Sequence, residues 1–221
     1  MGALPRTFED SLQQMAVAVQ LATGRGRSRM LIEFKMPQLD ILALIEPLAL
    51  VLPAPVLFMF PDAGAAALAL KRLGSQEGVT LKGIGAVRDL ESYASFVLLQ
   101  TSLVEVVQAE KLANQAAGRP YVFVNPLLSA GAVGIGLAGR QMRSRFLSTL
   151  EPVYHLEPLD EGALLRAYPE NWQVWRETAG EYQLVSERGQ RPTLEELNAA
   201  LVQKSTGLFG ELGRLLRALG R

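Results

Sequence analysis

Cysteine is absent from the 221 residues, which excludes disulfides, thiolate chemistry, cysteine-ligated zinc and iron–sulfur clusters. Histidine occurs once, as His155, so a site built on two imidazoles, such as the H-E-x-x-H zinc motif, is excluded too. Neither sign of charge is in excess: 22 basic side chains balance 22 acidic ones. No global field therefore draws the chain to nucleic acid, and any electrostatic attraction has to be local. The N-terminus has no cationic start followed by a signal-type apolar core, and Gly2 lacks the Ser or Thr that myristoylation needs downstream. The expectation is a cytoplasmic chain without signal or transit peptide.

Two catalytic signatures are missing as well. No G-x-x-x-x-G-K-[ST] phosphate loop and no G-x-S-x-G nucleophile elbow occurs. The carboxylate pairs Asp160 with Glu161 and Asp89 with Glu91 are turn neighbours that face solvent by default, and His155 in "PVYHLEP" reads as a partly buried strand residue rather than a catalyst. The motifs call for no metal and no cofactor.

What is present is apolar material, 49% of the chain, enough for a sizeable core. Its longest run, residues 41–60, carries one charge, Glu46, and approaches the length that crosses a bilayer. Pro47, Pro53 and Pro55 interrupt it. A helix ending near Val51, a proline-bounded turn and a buried strand over 56–60 account for it better than a membrane span.

Before this run, Phe8, Leu12, Met15 and Val19 recur at helical spacing behind a capping Thr7, and "RMLIEF" reads as a strand. After it, "VTLKGIGAV", "SFVLLQ" and "PYVFVNP" are further strands, separated by a helix opening at Asp62 and a second one that Thr101 or Ser102 would cap. "RQMRSRFLSTL" reads as another helix. Strands apolar at every position suit a sheet covered by helices on both faces. The last third differs. "PVYHLEP", "ALLRAYP", "WQVWRE" and "EYQLVSE" are short, aromatic-rich and joined by turns, the pattern of antiparallel hairpins. Thr193 and Glu196 then form a capping box for a terminal helix. The predicted class is α/β: a mainly parallel sheet with helices on both faces, an antiparallel hairpin extension in the C-terminal third, and terminal helices. Residues 1–204 read as one domain and 205–221 as a separate amphipathic helix.

Three stretches are candidate sites. In "FPDAG" the Asp62 carboxylate either caps a helix or sits where that helix would bind phosphate; a carboxylate there repels an anion, which favours the cap. Asn125 follows the next buried strand and would lie at the same carboxyl edge of the sheet, where open α/β sheets bind ligands. Gly134, Gly136 and Gly139 have dinucleotide-loop spacing, but several residues separate them from the preceding strand, and the acid at a suitable distance, Glu157, falls in a hairpin strand. Arg140, Arg143 and Arg145 gather beside that loop and could hold a phosphate, a carboxylate or an acidic partner. In the tail, Leu208, Phe209, Leu212, Leu215, Leu216 and Leu219 fall on one arc of a helix, with Arg214, Arg217 and Arg221 opposite. That pattern fits a helix on a membrane surface and equally one packed on its own protein. Trp172 and Trp175 are placed on opposite faces of a strand.

Several segments together, "FPDAGAAALA", "VFVNPLLSAGAVGIGLAGRQMRSRFLSTLEPVYHLEP", "GALLRAYPENWQVW" and "YQLVSE…RPTLEEL", resemble the family designated domain of unknown function 1995, found in cyanobacteria and plastids. The resemblance spans nearly the whole chain and brings no catalytic residues. It implies an association with oxygenic photosynthesis, since plastid members are linked to photosystem accumulation or assembly. One plastid adenylate kinase carries a similar domain beside its kinase part, but the kinase motifs are not found here. The expectation is a non-enzymatic auxiliary factor that binds a photosystem or assembly-factor protein, with peripheral contact at the cytoplasmic face of thylakoid membranes and no nucleic acid. The alternative is an enzyme or sensor binding a phosphorylated small molecule or nucleotide at the carboxyl ends of the strands.

Overall fold

The computed structural model of the chain describes residues 3–102, 104–127 and 145–202. Strands β1 (Arg29–Phe34), β2 (Val56–Phe60), β3 (Val79–Gly83), β4 (Ser95–Leu99), β5 (Tyr121–Val124), β6 (Glu151–Leu159), β7 (Gly162–Ala167), β8 (Trp172–Thr178) and β9 (Glu181–Arg188) make one sheet. Their order is β3-β2-β4-β5-β1-β6-β7-β8-β9. From β3 to β6 every neighbour is parallel, and from β6 to β9 every neighbour is antiparallel. Strand β6 is therefore the hinge of the architecture, parallel to β1 on one side and antiparallel to β7 on the other.

Among the described residues five helices, α1 (Phe8–Gly24), α2 (Ile45–Val51), α3 (Ala63–Leu73), α4 (Val106–Gln115) and α5 (Leu194–Leu201), cover this sheet. The connections through α2 and α3, which step toward β3, pass over one face, and the one through α4, which steps toward β6, passes over the other, as right-handed crossovers require. One face buries Val56, Phe58 and Phe60 with residues of α1, α2 and α3. The other buries Leu57, Met59, Phe96 and Phe123 against α4 and Phe146. Every residue of β2, β4 and β5 is buried, as the continuous apolar runs predict. A third cluster joins Leu164, Trp172 and Val174 of the hairpins to Leu197 and Leu201 of α5.

The local signals explain most of the boundaries. Thr7 and Asp10 close a reciprocal capping box on α1, and Thr193 and Glu196 do the same on α5. Residues 41–60 divide into a 3-10 turn, the short α2 with Pro47 in its first turn, and the buried β2 beyond Pro53 and Pro55. No helix among the described residues is long and apolar enough to cross a membrane.

Two boundaries depart from the sequence reading. Helix α4 starts at Val106 rather than behind a Thr101 or Ser102 cap. The Ser102 hydroxyl instead donates to the Glu105 carboxylate at 2.5 Å, which holds the segment in a local turn and delays the helix. Of the helix expected over 140–150, the described part begins with a helical Arg145 and ends in a 3-10 turn at Leu147–Thr149.

Candidate functional site

The carboxyl ends of β2 and β5 carry Asp62 and Asn125, the polar residues expected there to meet a ligand, and each has structural work. Asp62 precedes α3 with an extended backbone, and its Oδ1 accepts from the Ala65 N–H at 2.8 Å. The junction is also closed from the side: a Cβ on Gly83 would stand 2.7 Å from the Ala63 nitrogen. Asp62 is a helix cap at a tight crossing of β3 and the β2–α3 turn, and it occupies a free N–H that an anion would use.

Asn125 extends the β5–β1 pairing beyond its last backbone partner. It adopts φ 44°, and its side-chain amide accepts from the Phe34 N–H at 2.6 Å while donating to the Phe34 carbonyl at 2.9 Å. Asn tolerates this left-handed backbone better than most residues and mimics a strand neighbour with both halves of its amide. Asn125→Ala should cost about 2–3 kcal/mol, from two unpaired backbone groups and a less tolerant φ; urea unfolding with an unchanged slope would measure it.

Arg145 is bound bidentately to Glu110 of α4, at 2.6 and 2.7 Å, and that carboxylate holds the guanidinium pKa above its ordinary value. Its charge is thus paired within the fold. Arg140, Arg143, Gly134, Gly136 and Gly139 lie outside the described residues. So do Leu208, Phe209, Leu212, Arg214, Leu215, Leu216, Arg217, Leu219 and Arg221 of the tail.

The strongest polar constellation was not singled out from sequence. His155 is fully buried on β6. Its Nδ1 faces Glu33 Oε2 of β1 at 3.1 Å, and its Nε2 faces Glu157 Oε2 at 3.0 Å. Lys35 Nζ reaches the other oxygen of Glu33 at 2.7 Å, and Arg191 donates to Glu157 at 3.0 Å. The Trp172 ring forms the apolar side of the cluster, 5.1 Å from the imidazole and 5.6 Å from the Arg191 guanidinium. Burial pushes the Glu33 carboxyl upward, but the bonds and charges of His155 and Lys35 overcome it and hold the pKa at about 2. Glu157 is also lowered, chiefly by its bond to His155. As placed, His155 ties β1, β6 and the segment before α5 together, and neither nitrogen is left over for a substrate.

The signal for this cluster was in the sequence: His-x-Glu at strand spacing puts both side chains on one face, and Glu33 is the lone acid of β1. A β-bulge is what aligns them. Leu31 pairs with Pro152 and Ile32 with Tyr154, so the register shift brings His155 opposite Glu33.

On the opposite face, the hairpins and the start of α1 enclose an open cleft of about 560 Å³. Phe8, Trp175 and Tyr182 line it together with Met36 and Pro158. Phe8 and Tyr182 remain exposed although they are large and aromatic. The Trp175 indole is oriented by donating to Gln173 Oε1 at 3.2 Å, and the buried Gln173 Nε2 has no partner among the described residues. Volume and aromatic content fall within the range of ligand and peptide sites.

This arrangement defines an α/β protein with a doubly wound parallel half and an antiparallel half that carries an aromatic cleft. The chain belongs to the DUF1995 family, a domain of unknown function, whose model matches residues 5–199. No curated protein matches the chain.

Proposed function

We propose that the protein is a non-enzymatic auxiliary factor of photosynthesis that assists photosystem assembly or accumulation by binding a protein partner at the thylakoid surface. The observation that carries this reading is the aromatic cleft between α1 and β6–β9, which leaves Phe8 and Tyr182 uncovered. Aromatic anchors set in a concave surface are the usual energetic centre of a protein interface. The family membership supports the photosynthetic setting through the resemblance to plastid and cyanobacterial members. The polar groups Asp62, Asn125, Arg145 and His155 are engaged in capping, clamping or pairing, which lends weight to binding over catalysis.

The alternative, a phosphorylated small molecule at the strand ends, retains one observation. Thr101, at the end of β4, is 1% exposed, and its hydroxyl has no partner among the described residues. It lies where the connection from β2 turns toward β3 and that from β4 turns toward β5, the position at which such sheets bind ligands.

One experiment separates the readings. Immobilised protein is exposed to detergent-solubilised thylakoids, and retained chlorophyll-protein is measured for the native chain and for Trp175→Ala/Tyr182→Ala. Retention by the native chain with at least about tenfold loss in the cleft variant is expected, the size of an interface anchor. Equal retention, or none, overturns the cleft as the partner site. A thermal shift with sugar phosphates that Thr101→Val abolishes would carry the alternative instead.

A further inference from the structure

We infer that the aromatic cleft is the docking site of the chain's own basic amphipathic tail, residues 205–221. The inference concerns the cleft proposed above for a partner and rests on that reading only for what the tail would displace.

Three observations lead to it. The first is where the described chain stops. Leu201 and Val202 stand at the hairpin tips, beside Asp160, Glu161, Glu177 and Ala179. The cleft begins around the same tips, at Gly162, Gly180 and Glu181. Helix α5 lies on the opposite face of the hairpins, so the tail has to round the sheet edge. The five residues 203–207, extended, reach about 17 Å, against a layer spacing of about 10 Å.

The second is charge. Residues 203–221 hold four of the 22 basic side chains and one of the 22 acidic ones, so the remainder of this neutral chain has three more acids than bases. Four carboxylates, Asp160, Glu161, Glu177 and Glu181, cluster at the tips, with Arg176 and Arg6 as the neighbouring cations. A tail bearing Lys204, Arg214, Arg217 and Arg221 complements that rim.

The third is apolar match. The tail has a single arc of leucines and Phe209, while the cleft presents Phe8, Met36, Trp175 and Tyr182. A helix laying one apolar face into a groove needs this pairing of surfaces. The glycines at 207, 210, 213 and 220 weaken the helix on its own, so a surface to lie against is what stabilises it. Docked there, the tail and a partner would compete for the same aromatic anchors.

The test uses the full chain and no partner. Because no native cysteine exists, a nitroxide on Ala218→Cys is the only label. The indole signal of Trp175 and the amide signals of Ala163, Gly180 and Tyr182 are expected to lose most of their intensity. They recover in the same labelled chain carrying Leu212→Asp and Leu216→Asp, whose other signals stay in place. Unbroadened cleft signals, or broadening confined to another surface, overturn the inference. So does broadening of an unlabelled isotopic chain mixed with a labelled one, because the occupant is then a second copy. Docking of the tail with no chlorophyll-protein retention would leave this inference standing and remove the photosystem reading, and the reverse result would do the opposite.

Discussion

Replacing His155 with leucine should destabilise the protein by about 3–5 kcal/mol, the cost of removing one member of a buried charge network, or roughly 10 °C in Tm for a chain of this length. Leucine fills much of the imidazole volume, so the loss comes from the carboxylates rather than from a cavity. Glu33, with its side chain only 13% exposed, would keep Lys35 but lose its bond to β6. Glu157 would keep its pair with Arg191. The pH dependence separates this cause from ordinary mispacking. In the folded chain the Glu33 carboxyl sits at about 2, below its ordinary 4.5. A depressed carboxyl contributes stability that is complete above the unfolded pKa and is lost as pH falls through the window from 4.5 to 2. Native stability should therefore decline across that window by on the order of 2–3 kcal/mol from this group. Glu33→Gln should flatten the decline, and His155→Leu should make it shallower. Urea unfolding at a series of pH values measures all three, and an equally steep decline in Glu33→Gln would remove the network from the explanation.

The parallel half was legible because its physics is local. "VLFMF", "SFVLL" and "YVFV" are apolar at every position, and such strands need cover on both faces. Thr7, Asp62 and Thr193 are caps whose partners lie within three residues. Strand order was not legible in the same way. That β1 lies between β5 and β6, far from β2, depends on which helices fit which face.

The candidate site divides along the same line. Asp62 was correctly read as a cap because its partner, Ala65, is nearby in sequence. Asn125, Arg145 and His155 were harder, since Asn125 answers Phe34, Arg145 answers Glu110 and His155 answers Glu33. Long-range pairing of this kind is set by register, and a single bulge between Leu31 and Ile32 decides which side chain meets Glu33. The cleft was invisible for a related reason. Phe8 belongs to the first helix, and Trp175 and Tyr182 to the last hairpin. Only the position of β6 beside β1 brings α1 over the hairpins.

That junction also sets the second large effect. Gly162→Ala should destabilise the protein by at least about 3 kcal/mol, at the upper end of overpacking costs. A Cβ on Gly162 would lie 1.9 Å from the Trp175 carbonyl oxygen and 3.1 Å from the Arg176 Cα. Both neighbours are backbone atoms of the paired strand β8, so no rotamer change can relieve the contact. Relief requires β7 and β8 to part at the end of the hairpin where Trp175 faces the cleft. The same methyl at Gly24, the last residue of α1, meets nothing within 4 Å. Gly24→Ala should be neutral or raise stability by up to about 1 kcal/mol, through helix propensity and a less free unfolded chain. Thermal unfolding of the two variants is the measurement, with Trp fluorescence of the folded state as a second readout. A Gly162→Ala chain as stable as the native one would mean that the hairpin tip is not packed as described, and that the cleft wall at Trp175 yields to a single methyl group.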